Sequence, residues 1–84
     1  GEVFDGIVTS VARFGLFVRL TETLVEGLVR VESLGDEWFE WIESRQELLG
    51  SRTGTTYRLG DRLRVRVTKV DTVLRRMDLE IESP

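Results

Sequence analysis

The sequence predicts an all-β fold, a five-stranded Greek-key barrel with an elaborated connection between its third and fourth strands. Three observations predict it. Apolar residues alternate with polar ones in short runs, most clearly where Leu63, Val65 and Val67 alternate with Arg62, Arg64 and Arg66. A period of two is the geometry of a strand. No long amphipathic helix is evident. Five strands in 84 residues must close, or nearly close, to avoid leaving open edges.

The first strand spans residues 2–11, with Val3, Ile7, Val8 and Val11 as its β-branched content. Its apolar residues fall on both parities, as in a long, bent strand shared between two sides of a small barrel. The second strand runs from Gly15 to Leu20. Leu16, Val18 and Leu20 share one face, and Phe17 and Arg19 share the other. An outward aromatic beside an arginine suits a platform for stacking a nucleic-acid base. The competing reading is that Phe14 and Phe17 pack under loops, the common fate of aromatics. Gly15 marks a bend or a close backbone approach at the strand entrance. The third strand covers residues 26–31.

The regular pattern lapses over residues 32–59. Trp38, Phe39, Trp41 and Ile42 are too apolar for a free linker. A helical turn near Ser33 and a short extended pair further on are expected there. The aromatics have two readings: a cover over one end of the barrel, which is favoured, or a contact patch for another domain. The fourth strand runs from Arg62 to Asp71, with a bulge expected where Val70 breaks parity. A tight connection over residues 71–75 leads to the last strand, where Met77, Leu79 and Ile81 alternate with Asp78 and Glu80.

The net charge of -3 counts against a nucleic-acid binder, but its distribution is uneven. Residues 31–50 hold six acids against one base, net -5. Residues 51–76 hold eight bases against two acids, net +6. A basic half is able to take phosphate while the other half repels it. A solvated surface of mixed sign is the alternative. There is no histidine and no cysteine, hence no common general base, no usual zinc ligand and no thiol nucleophile. The carboxylates of Asp36, Glu37, Glu40 and Glu43 read as a solvated acidic face rather than a metal site. No catalytic residue, metal or cofactor is expected. The lack of cysteine fits a reducing compartment, and no apolar run is long enough to span a membrane as a helix.

Four motifs occur in order. They are Glu2-Val3-Phe4-Asp5-Gly6-Ile7-Val8, Arg13-Phe14-Gly15-Leu16-Phe17-Val18, Glu26-Gly27-Leu28-Val29-Arg30-Val31-Glu32-Ser33-Leu34 and Leu59-Gly60-Asp61-Arg62-Leu63-Arg64-Val65-Arg66-Val67. Together they resemble the S1 RNA-binding domain, an OB-fold. The long connection ending in residues 50–61, and the closing Arg75-Arg76-Met77-Asp78-Leu79, look like the C-terminal S1 domain of the bacterial ribonuclease R family. The resemblance implies one S1-type domain over residues 1–84, cut from a larger 3'-5' exoribonuclease. It implies single-stranded RNA as partner, a covalently linked catalytic domain that does the hydrolysis, and a cytoplasmic location. By motif position, Phe14 and Phe17 correspond to the family's stacking aromatics. Arg30 fills a slot where many members carry histidine. Asp71 and Arg75 fall at the loop where the family places polar contacts. Arg19 adds charge beside Phe17. Arg64, Arg66 and Arg76 extend the basic surface and rank second.

Overall fold

The computed structural model describes residues 2–82. It is all-β apart from two single 3₁₀ turns, Val31–Ser33 and Glu43–Arg45. The strands, in chain order, are β1 (Val3–Ala12), β2 (Gly15–Leu20), β3 (Glu26–Arg30), β4 (Phe39–Ile42), β5 (Glu47–Gly50), β6 (Thr56–Arg58), β7 (Arg62–Asp71) and β8 (Arg76–Ile81). Five of them close into a barrel in the order β1-β2-β3-β8-β7, and β4-β5-β6 form a separate three-stranded sheet. The five barrel strands are those the alternation predicts. The connection between the third and fourth of them holds a sheet of three strands where a pair was expected, together with the expected helical turn at Ser33.

β1 serves two sides of the barrel. It pairs antiparallel with β2 from Gly6 to Ala12 and with β7 from Val3 to Ile7. A register shift between Val8 and Ser10 bends it, so a bulge at Thr9 accommodates apolar residues of both parities. In β7 the register shifts between Val67 and Lys69, upstream of the expected break, and Val70 is left exposed.

The inward parity of each strand builds one core. Val8, Val11, Leu16, Val18, Leu20, Val29, Val65 and Leu79 are buried in it, joined by Phe39 from β4 and Leu48 from β5. Trp41 and Tyr57 pack against the same cluster, and the Phe39 and Tyr57 rings lie 5.9 Å apart. The small sheet therefore covers the barrel, as favoured, through Phe39 and Trp41. Trp38 takes the other parity of that strand entrance and is 77% exposed.

β3 and β8 close the barrel by a short parallel seam, Leu28 beside Asp78 and Val29 beside Leu79. The strands come so close that a Cβ on Gly27 would lie 2.9 Å from both the Leu79 side chain and the Met77 carbonyl oxygen. Only glycine fits there.

Candidate nucleic-acid interface

The face of interest is made by the outward residues of β2, β3 and β8 and the loops that flank them. It begins at the β1–β2 turn. Gly15 has φ +155°, and a Cβ on it would lie 2.2 Å from the Val29 carbonyl oxygen. This is the close backbone approach rather than the bend. The Val31 N–H donates to the Phe14 carbonyl at 2.9 Å, tying the turn to the end of β3. The Phe14 backbone is thereby fixed while its ring stays 54% exposed.

Strand parity then sends Phe17 outward, as expected, because Leu16 and Val18 are fully buried on the other side. The Phe14 and Phe17 rings meet edge to face, with centroids 5.9 Å apart and planes at 89°. Two rings at a right angle form a corner: a planar group laid on one touches the edge of the other. Thr9, at the bulge in β1, buttresses this strand. Its hydroxyl donates to Glu26 Oε2 at 2.6 Å and lies 3.3 Å from the Phe17 carbonyl oxygen.

The corner opens into a groove of about 490 Å³ lined by Phe14, Phe17, Leu28, Met77, three arginines (Arg30, Arg75 and Arg76) and one carboxylate, Glu26. A neighbouring hollow of about 330 Å³ shares Glu26, Arg75, Arg76 and Met77 with it and is also lined by Val25, Val70, Asp71 and Thr72.

Arg30 alternates outward with Leu28 on β3. Its guanidinium lies 3.9 Å from Asp78, with the two side chains 54% and 24% exposed. Such an exposed pair is worth about 0–1 kcal/mol, so it does not hold Arg30 away from a ligand. Asp71 faces its own loop. Its Oδ1 accepts the N–H groups of Val73 at 3.1 Å and Leu74 at 3.0 Å. That is an Asx turn, which shapes the loop. The loop ends with Arg75 at φ +53°, a left-handed conformation typical of four-residue hairpin loops. Asp71 thus positions Arg75 over the groove, and also borders a small hollow with Arg30, Lys69 and Arg76.

The structure brings Phe14, Phe17, Arg30 and Arg75 together in one groove. Arg76, ranked second on sequence, lines it as well. Arg19 shares the outward face of β2 with Phe17, opposite Glu26 on β3, but lies outside the groove. Arg64 and Arg66 stand on β7, on the other side of the barrel. Arg64 pairs with Asp5 of β1 at 3.4 Å, and Arg66 pairs with Glu82. Leu28 and Met77 were not singled out from sequence. Leu28 was legible, since Glu26, Leu28 and Arg30 share a parity that Gly27 and Val29 leave to the core. Among the described residues no group of three or more acidic, histidine or cysteine side chains is arranged to hold a metal. No helix among them is long and apolar enough to cross a membrane. The arrangement offers π-faces and cations in one open groove, which is chemistry for holding unpaired bases and their phosphates.

Comparison with known proteins agrees. Residues 1–82 match the S1 RNA binding domain family. Ribonuclease R of Escherichia coli is 43% identical over 83 residues, covering 99% of this chain and 10% of the relative. Ribonuclease R of Aquifex aeolicus is 46% identical over 81 residues, covering 96% of this chain and 12% of the relative. The chain thus spans about a tenth of the length of these relatives. Among solved structures, Mycoplasma genitalium RNase R in complex with ribose-methylated single-stranded RNA superposes with a TM-score of 0.90 at 28% identity. That superposition covers 98% of this chain and 13% of the other. A closed five-stranded barrel, a match over nearly the whole chain and these relatives lead to one conclusion: this chain belongs to the S1 RNA binding domain family, in the form carried by ribonuclease R.

Proposed function

We propose that this domain holds single-stranded RNA, with little sequence preference, in the groove between the Phe14–Phe17 corner and the β7–β8 loop. The observation that carries the proposal is the meeting of two right-angled aromatic rings with three arginines in one groove. Each stacked base contributes about 1–3 kcal/mol whatever its identity. Arg30, Arg75 and Arg76 attract the phosphates, with Arg19 flanking the path. Counterion release then makes the affinity fall as salt rises. Asp71 acts through the loop it shapes. Arg64 and Arg66 belong to a secondary surface at most.

The reading extends to a longer protein. As one domain of a ribonuclease R-type 3'-5' exoribonuclease, acting in the cytoplasm, it would raise the local concentration of RNA near a covalently linked catalytic domain. Micromolar or weaker intrinsic affinity suffices for that role, and hydrolysis is left to the other domain. The RNA bound by the Mycoplasma genitalium relative supports the substrate class.

The deciding experiment is an amide chemical-shift titration with a short uridine-rich RNA at two salt concentrations. Shifts should concentrate on Phe14, Phe17, Leu28, Arg30 and residues 71–77, and weaken at the higher salt. Shifts that gather instead on Arg62, Arg64 and Arg66 would sink the assignment of the face.

A further inference from the structure

A further hollow shares no lining residue with the RNA groove. It measures about 450 Å³ and is lined by Arg13, Val31, Glu32 and every residue from Glu37 to Trp41. Consecutive lining residues mean that it runs along the edge of β4 rather than over one face, since neighbours on a strand point to opposite faces. That edge is open. Among the described residues β4 pairs with β5 alone. The rest of the small sheet is firmly held, with Leu48 fully buried and the Glu47 carboxylate clasped by Arg45 at 2.8 Å and Arg58 at 3.6 Å. An open edge on a rigid sheet is where an extended peptide adds as a further strand.

The side chains around the slot define what would fit. The Trp38 indole is 77% exposed, an unusual cost for a tryptophan with no partner. Glu32 and Glu40 are both exposed and carry no ion pair among the described residues. Glu37 is engaged elsewhere, capping the turn at Arg52 and Thr53. Arg13 is the single cation in the lining. An RNA phosphate would meet carboxylates here. An arginine or lysine would meet an indole face and two carboxylates, the setting in which cation–π attraction and charge complementarity act together.

We propose that this slot docks an extended basic peptide segment, which adds to the open edge of β4 and lays a cationic side chain on Trp38 between Glu32 and Glu40. The segment is identified by its chemistry alone: alternating cationic side chains on an extended backbone. The two sites share no lining residue, so a peptide here and RNA in the groove touch different side chains.

The test is an amide chemical-shift titration of the chain with a blocked ten-residue peptide of alternating arginine and threonine. A peptide with glutamate in place of arginine, and a uridine-rich RNA, serve as the other two arms. Saturable shifts at residues 37–41 with the arginine peptide alone are expected. Trp38→Ala, and separately Glu32→Gln with Glu40→Gln, should each weaken it fivefold or more, while Phe17→Ala leaves it unchanged. All these side chains but Phe17 are exposed, so circular dichroism should be unaltered; if Trp38→Ala disturbs the fold, the double glutamine variant decides. Equal binding of the glutamate peptide, unchanged affinity in the glutamine variant, no saturable shift at β4, or shifts there with RNA would each overturn the proposal. An RNA signal that Phe17→Ala leaves unchanged would instead count against the RNA groove, leaving this slot untouched.

Discussion

Two sides of the barrel carry arginines, and they differ in everything else. On β7, Arg64 is matched by Asp5 and Arg66 by Glu82. Across β2, β3 and β8, Arg75 and Arg76 have no ion pair among the described residues, Arg30 has a long one, and two phenylalanines form the wall. The count of cations is similar on the two sides, so counting alone would not separate them. Charge already neutralised by a neighbour releases few counterions when phosphate arrives. A base also needs a π-face to stay. The chain is acidic overall, and the proposed binding face lies where basic residues largely escape pairing beside aromatics.

Phe17→Ala attacks this contrast most directly. It should cost about 1–3 kcal/mol of RNA affinity, measured by fluorescence anisotropy of a labelled uridine-rich oligomer, with an unchanged circular dichroism spectrum. Full affinity in that variant would erase the distinction between the two sides. A charge comparison is next in size. Arg75→Gln should flatten the slope of log affinity against log salt by about 0.7, the value for one phosphate contact on a single strand. Arg64→Gln should leave the slope where it was, and equal effects would mean that both sides touch the backbone.

Asp71 sharpens the comparison at the loop. Asp71→Ala removes the acceptor for the Val73 and Leu74 N–H groups and should lower stability by about 1 kcal/mol while loosening Arg75. Asp71→Asn keeps an acceptor oxygen and should restore most RNA binding. If asparagine fails where alanine fails, the carboxylate acts on the ligand and not on the loop.

The smallest effect concerns neither side. The Thr53 N–H, its hydroxyl and the Arg52 N–H hold the Glu37 carboxyl below its ordinary value of 4.5. A lowered folded-state value adds stability above the unfolded value and loses it as pH falls through the folded one. Glu37→Gln should therefore be slightly less stable than the parent near neutrality, and the gap should close in acid below that range. Melting temperatures from pH 7 down to about pH 3 would show it, and RNA affinity at neutral pH should not move.

The parts of this molecule visible in its sequence are those with enough residues to show a period. Leu16, Val18 and Leu20 declare one face of β2, and Phe17 with Arg19 the other, before any coordinates exist. The small sheet hides because β4 and β5 have four residues each and β6 has three. Two alternations do not stand out against chance. Once β4 is recognised, Phe39 and Trp41 inward and Trp38 outward follow from parity. The place of Arg76 in the groove is hidden for a different reason. Its direction depends on the left-handed turn at Arg75, and a non-glycine residue there gives no signal of it. Nothing in the spacing of Arg62, Arg64 and Arg66 reveals that Asp5 and Glu82 will stand against two of them, since those partners come from opposite ends of the chain.

The parallel seam between β3 and β8 joins Leu28 to Asp78, residues separated by about fifty positions. Contacts so distant in sequence form late, because the intervening chain must first be placed. The groove lies across that seam, with Phe14, Phe17 and Arg30 from the early part of the chain and Arg75 and Arg76 from its end. Neither half is a groove without the other. A partly unfolded copy would therefore present rings without cations or cations without rings, and RNA affinity through the proposed groove would report completion of the barrel.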